Sequence, residues 1–314
     1  MHLIRLISSV IGTVLAATSQ AQDGDFRHVQ LRTHSINKPY LDQDFQSRWW
    51  DFGGTTVIDA ANQIRLTYDQ QHSTGWLWSR LPITATNYEV EFEFKIHGKG
   101  SGIFGDGMAM WLTSSRAETG PVFGNKDEFE GLGIFFDTYK NGRTGTTFPY
   151  ISAMIGDGKT RYDAQHDGKS TEIAGCSARG IRMASVPTKA RMTYYKDGYL
   201  KLELQYKRED EWEECFNVQG TSLPNVMYLG FTAITGEVSD NHDIIYVNTK
   251  NIFQAADTIK ARPGKAKNTA SQLPRKSWTG FLLKSLLFIA VLAGVFVAWK
   301  KYQEKQKRND YIGF

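Results

Sequence analysis

Over most of its 314 residues the chain lacks the usual markers of several protein classes. It has only two cysteines, Cys176 and Cys215, too few for a disulfide-built scaffold. No Asn-x-Ser/Thr sequon occurs, so no N-glycan is expected on the chain itself. No long segment between the termini carries apolar residues at a 3.6-residue period, which excludes a helical bundle or a wound α/β fold. There are no heptads and hence no coiled coil. What remains is a globular composition, 41% hydrophobic and 13% aromatic with 29 glycines.

Two apolar segments stand apart at the ends. Arg5 lies in an apolar run from Leu3 to Ala17, and Ser19 and Ala21 supply small residues before a cleavage point. Residues 1–21 therefore read as a secretory signal peptide. Residues 279–299 read as one transmembrane helix, because the run Phe281–Trp299 approaches the roughly 20 residues that cross a bilayer core. Its single charge, Lys284, sits near one end, and Trp278 and Trp299 bracket it as interfacial aromatics do. The expected order is a lumenal domain at 22–253, a flexible stalk at 254–278, the span, and a cytosolic tail at 300–314. That order is the one expected of a single-pass type I membrane protein.

The net charge of +4 divides unevenly. The stalk carries +5 and the tail +3, and Arg5 and Lys284 add one each, which leaves residues 22–253 at −6. An acidic domain without a basic stripe argues against nucleic acid as a partner. In an oxidising lumen the two cysteines suit one disulfide, with two buried thiols as the alternative.

Residues 22–253 read as strands almost throughout. Tyr88, Val90, Phe92, Phe94 and Ile96 alternate strictly with polar residues, the period of a half-buried antiparallel strand. Met108–Leu112, Leu132–Phe136, Tyr150–Ile155, Arg191–Tyr195, Tyr199–Tyr206, Tyr228–Ile234 and Ile244–Val247 add further strands, and Lys196-Asp197-Gly198 marks a hairpin turn. So many strands with Gly-rich turns predict a large antiparallel sandwich or jelly roll.

Four loops carry the polar residues worth singling out. Asp137, Tyr139 and Asn141 fall at i, i+2 and i+4 in a loop leaving a strand. They can offer a carboxylate, a backbone carbonyl and an amide oxygen, ligands that Ca2+ accepts at irregular angles. Asx residues in turns also commonly cap backbone N–H groups, and this remains the plainer alternative. Asp167, in Tyr162–Gly168, offers a distal carboxylate. Asp106 stands between Gly105 and Gly107, where a carboxylate can accept hydrogen bonds from adjacent sugar hydroxyls. The loop Thr235–Asp243 could donate backbone N–H groups to a sugar or merely close a turn.

Taken in order, Gly-Asp-Gly-Met-Ala-Met-Trp (105–111), Gly-Pro-Val-Phe-Gly (120–124), Gly-Leu-Gly-Ile-Phe-Phe-Asp-Thr-Tyr-Lys-Asn (131–141), Phe-Pro-Tyr-Ile-Ser (148–152), Ala-Gly-Cys (174–176) and Ser-Asp-Asn-His-Asp-Ile (239–244) resemble the L-type, legume-like lectins of the early secretory pathway. The likeness covers roughly residues 35–253 and points to the vesicular integral membrane lectin group. It implies an all-β, legume-lectin-like antiparallel jelly-roll sandwich that binds high-mannose glycoproteins. It implies Ca2+ held by Asp137, the Tyr139 carbonyl, Asn141 and Asp167. Mannose contacts are implied at Asp106, Asn141, Ser73, Gly236, Glu237 and Val238, and a disulfide between Cys176 and Cys215.

The sequence departs from the family at Ala164, where the family carries a mannose-contacting His, and His166 lies two residues on. The family serine falls on His72 or, with a one-residue shift, on Ser73. The terminal Tyr311-Ile312-Gly313-Phe314 resembles export and sorting signals read by vesicle coat proteins. Together these imply a cargo receptor or quality-control lectin of the endoplasmic reticulum, the intermediate compartment or the Golgi, and no enzymatic activity. Two alternatives are a protein-interaction receptor that has lost sugar binding and a jelly-roll glycoside hydrolase. The hydrolase would need a carboxylate pair, and Glu89, Glu91 and Glu93 fall on the outer face of a regular strand.

Overall fold

The computed structural model describes residues 26–254, with Lys300 and Lys301 beyond them. The expected signal peptide and span, and nearly all of the expected stalk and tail, lie outside the described residues. No helix among the described residues is long and apolar enough to cross a membrane.

Two large antiparallel sheets make the domain. The first has the order Glu213–Gln219, Tyr199–Gln205, Thr188–Tyr195, Asn87–His97, Asn241–Gln254, Gln63–Thr67 and Val57–Asp59, and Phe26–Gln30 pairs with the far end of Asn241–Gln254. The second runs Ala174–Ser177, Tyr150–Asp157, Glu130–Asp137, Gly107–Thr113, Tyr228–Ile234, Thr74–Ser79 and Trp50–Gly54. This is the all-β sandwich that the strand pattern predicts.

Alternation decides which side chains meet between the sheets. Tyr88, Val90, Phe92, Phe94 and Ile96 are buried, while Glu89, Glu91 and Glu93 remain partly exposed on the outer face. Phe92 and Phe94 meet Phe231 and Phe136 of the opposite sheet with ring centroids 4.9 and 5.0 Å apart, both edge to face. Such pairs contribute about 0.5–1.5 kcal/mol each beyond the area they bury.

The central strands of the second sheet are buried on their other face as well. Trp111, Phe135 and Ala109 point away from the main core into a separate cluster with Phe123, Phe129 and Met154. The covering side chains come from loops. Phe123 stacks on Phe135 at 5.1 Å, and Tyr162 packs against Phe135 at 4.9 Å. These contacts press two loops flat against the sheet near one end of the sandwich.

The strand expected at Ile244–Val247 is longer, spanning Asn241–Gln254. A register shift between Ile244 and Tyr246 interrupts its alternation, and beyond it the inward residue Thr249 is polar although fully buried. Gln63–Thr67, Thr74–Ser79 and Glu213–Gln219 also go beyond the sequence expectation.

Cys176 and Cys215 form a disulfide with Cα atoms 5.3 Å apart. Cys176 lies on the terminal strand of one sheet and Cys215 on the terminal strand of the other, so the bond closes one open side of the sandwich. Replacing both cysteines by alanine is expected to cost about 2–5 kcal/mol, read as a lower urea midpoint; an unchanged midpoint would show that the edge is held by packing alone.

His242 is fully buried, its Nδ1 2.7 Å from the Thr67 hydroxyl and its Nε2 without a partner among the described residues. Burial lowers its pKa to about 3. A depressed histidine contributes stability that is complete above the unfolded value near 6.5 and is lost as pH falls toward 3. Unfolding free energy should therefore drop by about 2 kcal/mol per such histidine between pH 6.5 and 5. His242→Gln should flatten that slope in chemical denaturation, and an identical slope would refute this origin.

Candidate carbohydrate and cation site

Strand register brings the candidate residues to one end of the second sheet. Gly107 pairs with Asp137 on one side and with Ile234 on the other, and Ile234 pairs with Thr74. Asp106, Thr138, Thr235 and Ser73 therefore leave neighbouring strands at the same edge. The Asp106 carbonyl accepts hydrogen bonds from the Thr138 N–H and hydroxyl, both at 3.0 Å, which ties the first two loops together.

Asp106, Asp137, Tyr139, Asn141 and Ala164 line an open cleft whose apolar part is formed by Phe123, Tyr162, Pro121 and Ile234. An apolar floor with a few convergent polar groups is the usual make-up of a small-ligand site. The aromatic pair that covers the sheet is thus also the floor of the cleft.

Beside the cleft, Asp167 is buried and accepts four N–H groups. Its Oδ1 takes the Asn141 backbone N–H at 3.0 Å and the Asn141 side-chain amide at 2.9 Å. Its Oδ2 takes the N–H groups of Arg143 at 3.0 Å and Gly142 at 3.3 Å. The loops approach so closely that a Cβ on Gly142 would stand 2.3 Å from the Gln165 carbonyl oxygen, so only glycine fits there.

Asp137 is also buried, and its Oδ1 accepts the Tyr139 N–H at 3.1 Å. Burial, then the neighbouring Asp167 carboxylate, push its pKa well above the usual carboxylate range. Burial alone raises that of Asp106. Two adjacent buried carboxylates disfavour their charged forms unless a cation compensates them. Two carboxylates, an amide and a loop carbonyl are an oxygen donor set that fits calcium. No group of three or more His, Cys, Asp or Glu side chains is placed to hold a metal among the described residues. That donor set contains only two such side chains.

Gly236 closes over Asp106 from the other side; a Cβ there would lie 2.9 Å from Asp106 Oδ2. Val238 approaches Gly105, whereas the Glu237 side chain is solvent-exposed, 3.6 Å from His72 Nε2. Ser73 does not line the cleft. Its hydroxyl donates to the Gln70 carbonyl at 3.3 Å and its N–H to the Thr235 hydroxyl at 2.8 Å, because the chain turns inward there to join the sheet. His166 faces a separate depression beside Gly142 and Lys169, with Nδ1 2.8 Å from Asp163 Oδ2. Ala164 alone of the two presents to the cleft.

Glu89, Glu91 and Glu93 lie on the other sheet. Glu89 pairs with Lys250 and Glu91 with Arg191, and Glu93 lines a different groove.

Sequence reasoning missed the anchor beneath the loop at 137–143. Arg143 is buried, with both terminal nitrogens on the Glu172 carboxylate, Nη2 also 3.1 Å from the Tyr150 hydroxyl, and the guanidinium over the Tyr150 ring at 4.1 Å. Its backbone N–H meanwhile holds Asp167. The partners lie 29 residues apart, a pairing without a local signature.

The fold and the loop-end cleft define an L-type lectin-like domain. Residues 27–258 match the model of the legume-like lectin family, and the chain belongs to that family. It is 36% identical over 303 residues to an L-type lectin-like domain-containing protein of Schizosaccharomyces pombe, covering 96% of this chain and 94% of that one. It is 34% identical over 331 residues to the vesicular integral-membrane protein VIP36 of Homo sapiens, covering 98% and 90%. Among solved structures, the VIP36 exoplasmic/lumenal domain in its Ca2+/Man2-bound form superposes with a TM-score of 0.67 at 36% identity, over 78% of this chain and 98% of that one. The Ca2+/Man3GlcNAc-bound form gives 0.64 at the same identity, over 80% and 96%.

Arg143→Met should cost about 3 kcal/mol by stranding the mostly buried Glu172 carboxylate. Adding Glu172→Gln should recover part of that loss in urea unfolding, and strictly additive losses would show that the two side chains are not coupled.

Proposed function

We propose that this chain is a calcium-dependent lectin for high-mannose N-glycans. The observation that carries the reading is the cleft lined by the Asp106 and Asp137 carboxylates and by Asn141, with buried Asp167 bonded to Asn141 beside it. Supporting it is the likeness to VIP36, whose lumenal domain has Ca2+/Man-bound forms.

In this reading Asp137, the Tyr139 carbonyl, Asn141 and Asp167 hold calcium. The ion supplies the positive charge that two adjacent carboxylates require and fixes the Asn141 amide toward the sugar. Asp106 accepts hydrogen bonds from adjacent mannose hydroxyls, and a charged acceptor makes these stronger than neutral ones. Gly236, Glu237 and Val238 contribute backbone groups, and Ser73 holds the loop that carries them. Tyr162 and Phe123 offer aromatic surface to the apolar side of the sugar ring. A few hydrogen bonds to a neutral ring give weak, reversible binding, which suits loading and release of glycoproteins.

The same proposal takes residues 1–21 as a signal peptide, 22–253 as the lumenal domain, 254–278 as stalk, 279–299 as the membrane span and 300–314 as a cytosolic tail read by vesicle coats. The protein would then carry glycoproteins between endoplasmic reticulum and Golgi as a type I membrane receptor. Ala164 favours one competing reading, a receptor for protein surfaces, because it brings no hydrogen-bonding group to the cleft.

Glycan-array binding separates the two. High-mannose glycans should bind in calcium and be lost with chelator, and Asp106→Ala should weaken binding about 10- to 100-fold, the loss of hydrogen bonds to a charged group. Binding indifferent to both chelator and substitution would sink the lectin reading.

A further inference from the structure

Residues 98–106 and 235–240 form the two sides of the Asp106 region, and both are gripped by a side chain that belongs to neither. Arg182 donates from Nε to Asp240 Oδ2 and from Nη2 to Asp240 Oδ1, each at 2.8 Å. Nη2 also donates to the carbonyls of Gly100 at 2.8 Å and Gly98 at 3.3 Å. The guanidinium lies over the Phe104 ring, 4.0 Å from its centroid. Asp240 is wholly buried and the Arg182 side chain is 10% exposed.

Asp69 makes a second tie between the same loops. Its Oδ2 accepts the Lys99 N–H at 2.8 Å, and its Oδ1 accepts the Ser239 hydroxyl at 2.7 Å. Gly98 permits this crowding, since a Cβ there would stand 2.3 Å from Asp240 Oδ1.

The sequence positions give these contacts their consequence. Phe104 directly precedes Gly105 and Asp106, and Asp240 follows Val238 by two residues. The Arg182 fork therefore bridges the segment leading into Asp106 and the segment that follows Gly236–Val238. Among the described residues, its hydrogen-bond and ion-pair partners all lie in those two loops. Apart from the Thr138 bonds to the Asp106 carbonyl, the loops at 137–143 and 163–168 hang on Arg143, Glu172 and Tyr150.

We propose that Arg182 is a positioning residue that governs glycan affinity independently of calcium affinity, by holding the Asp106 loop at a fixed distance from the Gly236–Val238 loop. The proposal rests on the lectin reading above. A binding constellation must be held within about 0.5 Å of its productive geometry. A lysine cannot reproduce a planar fork that serves a carboxylate and two carbonyls at once.

The test uses the full chain in detergent, titrated calorimetrically with calcium and then with mannobiose in saturating calcium. The variants are Arg182→Lys and the double change Arg182→Met with Asp240→Leu, which replaces the buried pair by apolar side chains and so limits the loss of stability. Both should keep the calcium dissociation constant within about twofold and bind mannobiose about tenfold or more weakly, the scale of one charged hydrogen bond. Unchanged mannobiose affinity in Arg182→Lys would overturn the proposal. So would calcium and mannobiose affinities that fall together in step with the melting temperature, the mark of general destabilisation. If the unsubstituted chain binds calcium but no mannobiose, the lectin reading fails and takes this inference with it.

Discussion

The structure depends on one constraint: the central strands of the second sheet have no face left for water. Its inner face meets Phe92 and Phe94 across the sandwich, and its outer face carries Trp111 and Phe135. Those rings must be covered by loops, and the loops that cover them deliver Phe123 and Tyr162 to the floor of the cleft. Fold stability and site geometry are therefore the same contacts seen from two sides. A change at Phe135 would disturb both the packing of the sheet and the surface on which a ligand rests.

On this floor the polar groups are held by two separate arginine anchors. Arg143 pins the loop with Asp137 and Asn141, and Arg182 pins the loops on either side of Asp106. Each is a mostly buried guanidinium paired with a mostly buried carboxylate, so that breaking the pair costs more than forming it contributes. Asp137 and Asp106, whose carboxyl pKa values burial raises, both face the cleft. In the proposed function these are the groups that would meet the cation and the sugar.

Much of this was legible in the sequence, for identifiable reasons. Asn87–His97 could be read because one face is wet and the other dry, so its side chains alternate. Gly107–Thr113 and Glu130–Asp137 appear as unbroken apolar runs because both of their faces are dry. Most of Asn241–Gln254 was hidden by a shifted register and by a buried threonine that reads as polar. The candidate residues were found through ordered motifs shared with a family. The inward turn of Ser73 and the diversion of His166 toward Asp163 depend on loop conformation, which spacing does not encode. The two arginine anchors were invisible for a simpler reason, their partners being 29 and 58 residues away.

The long strand Asn241–Gln254 has a mechanical meaning. It starts one residue after Asp240 and runs 14 residues to the end of the described domain, roughly 45 Å at the usual rise per residue. It is flanked by Asn87–His97 over most of that length and by Phe26–Gln30 at its far end. If cargo pulls on the loop before Asn241 and a membrane anchor holds the chain beyond Gln254, tension runs along the strand axis. The ladder bonds lie across that axis, so they must shear together rather than peel one at a time. In the proposed function the strand would thus act as a load-bearing strut, with ligand and tether at its opposite ends.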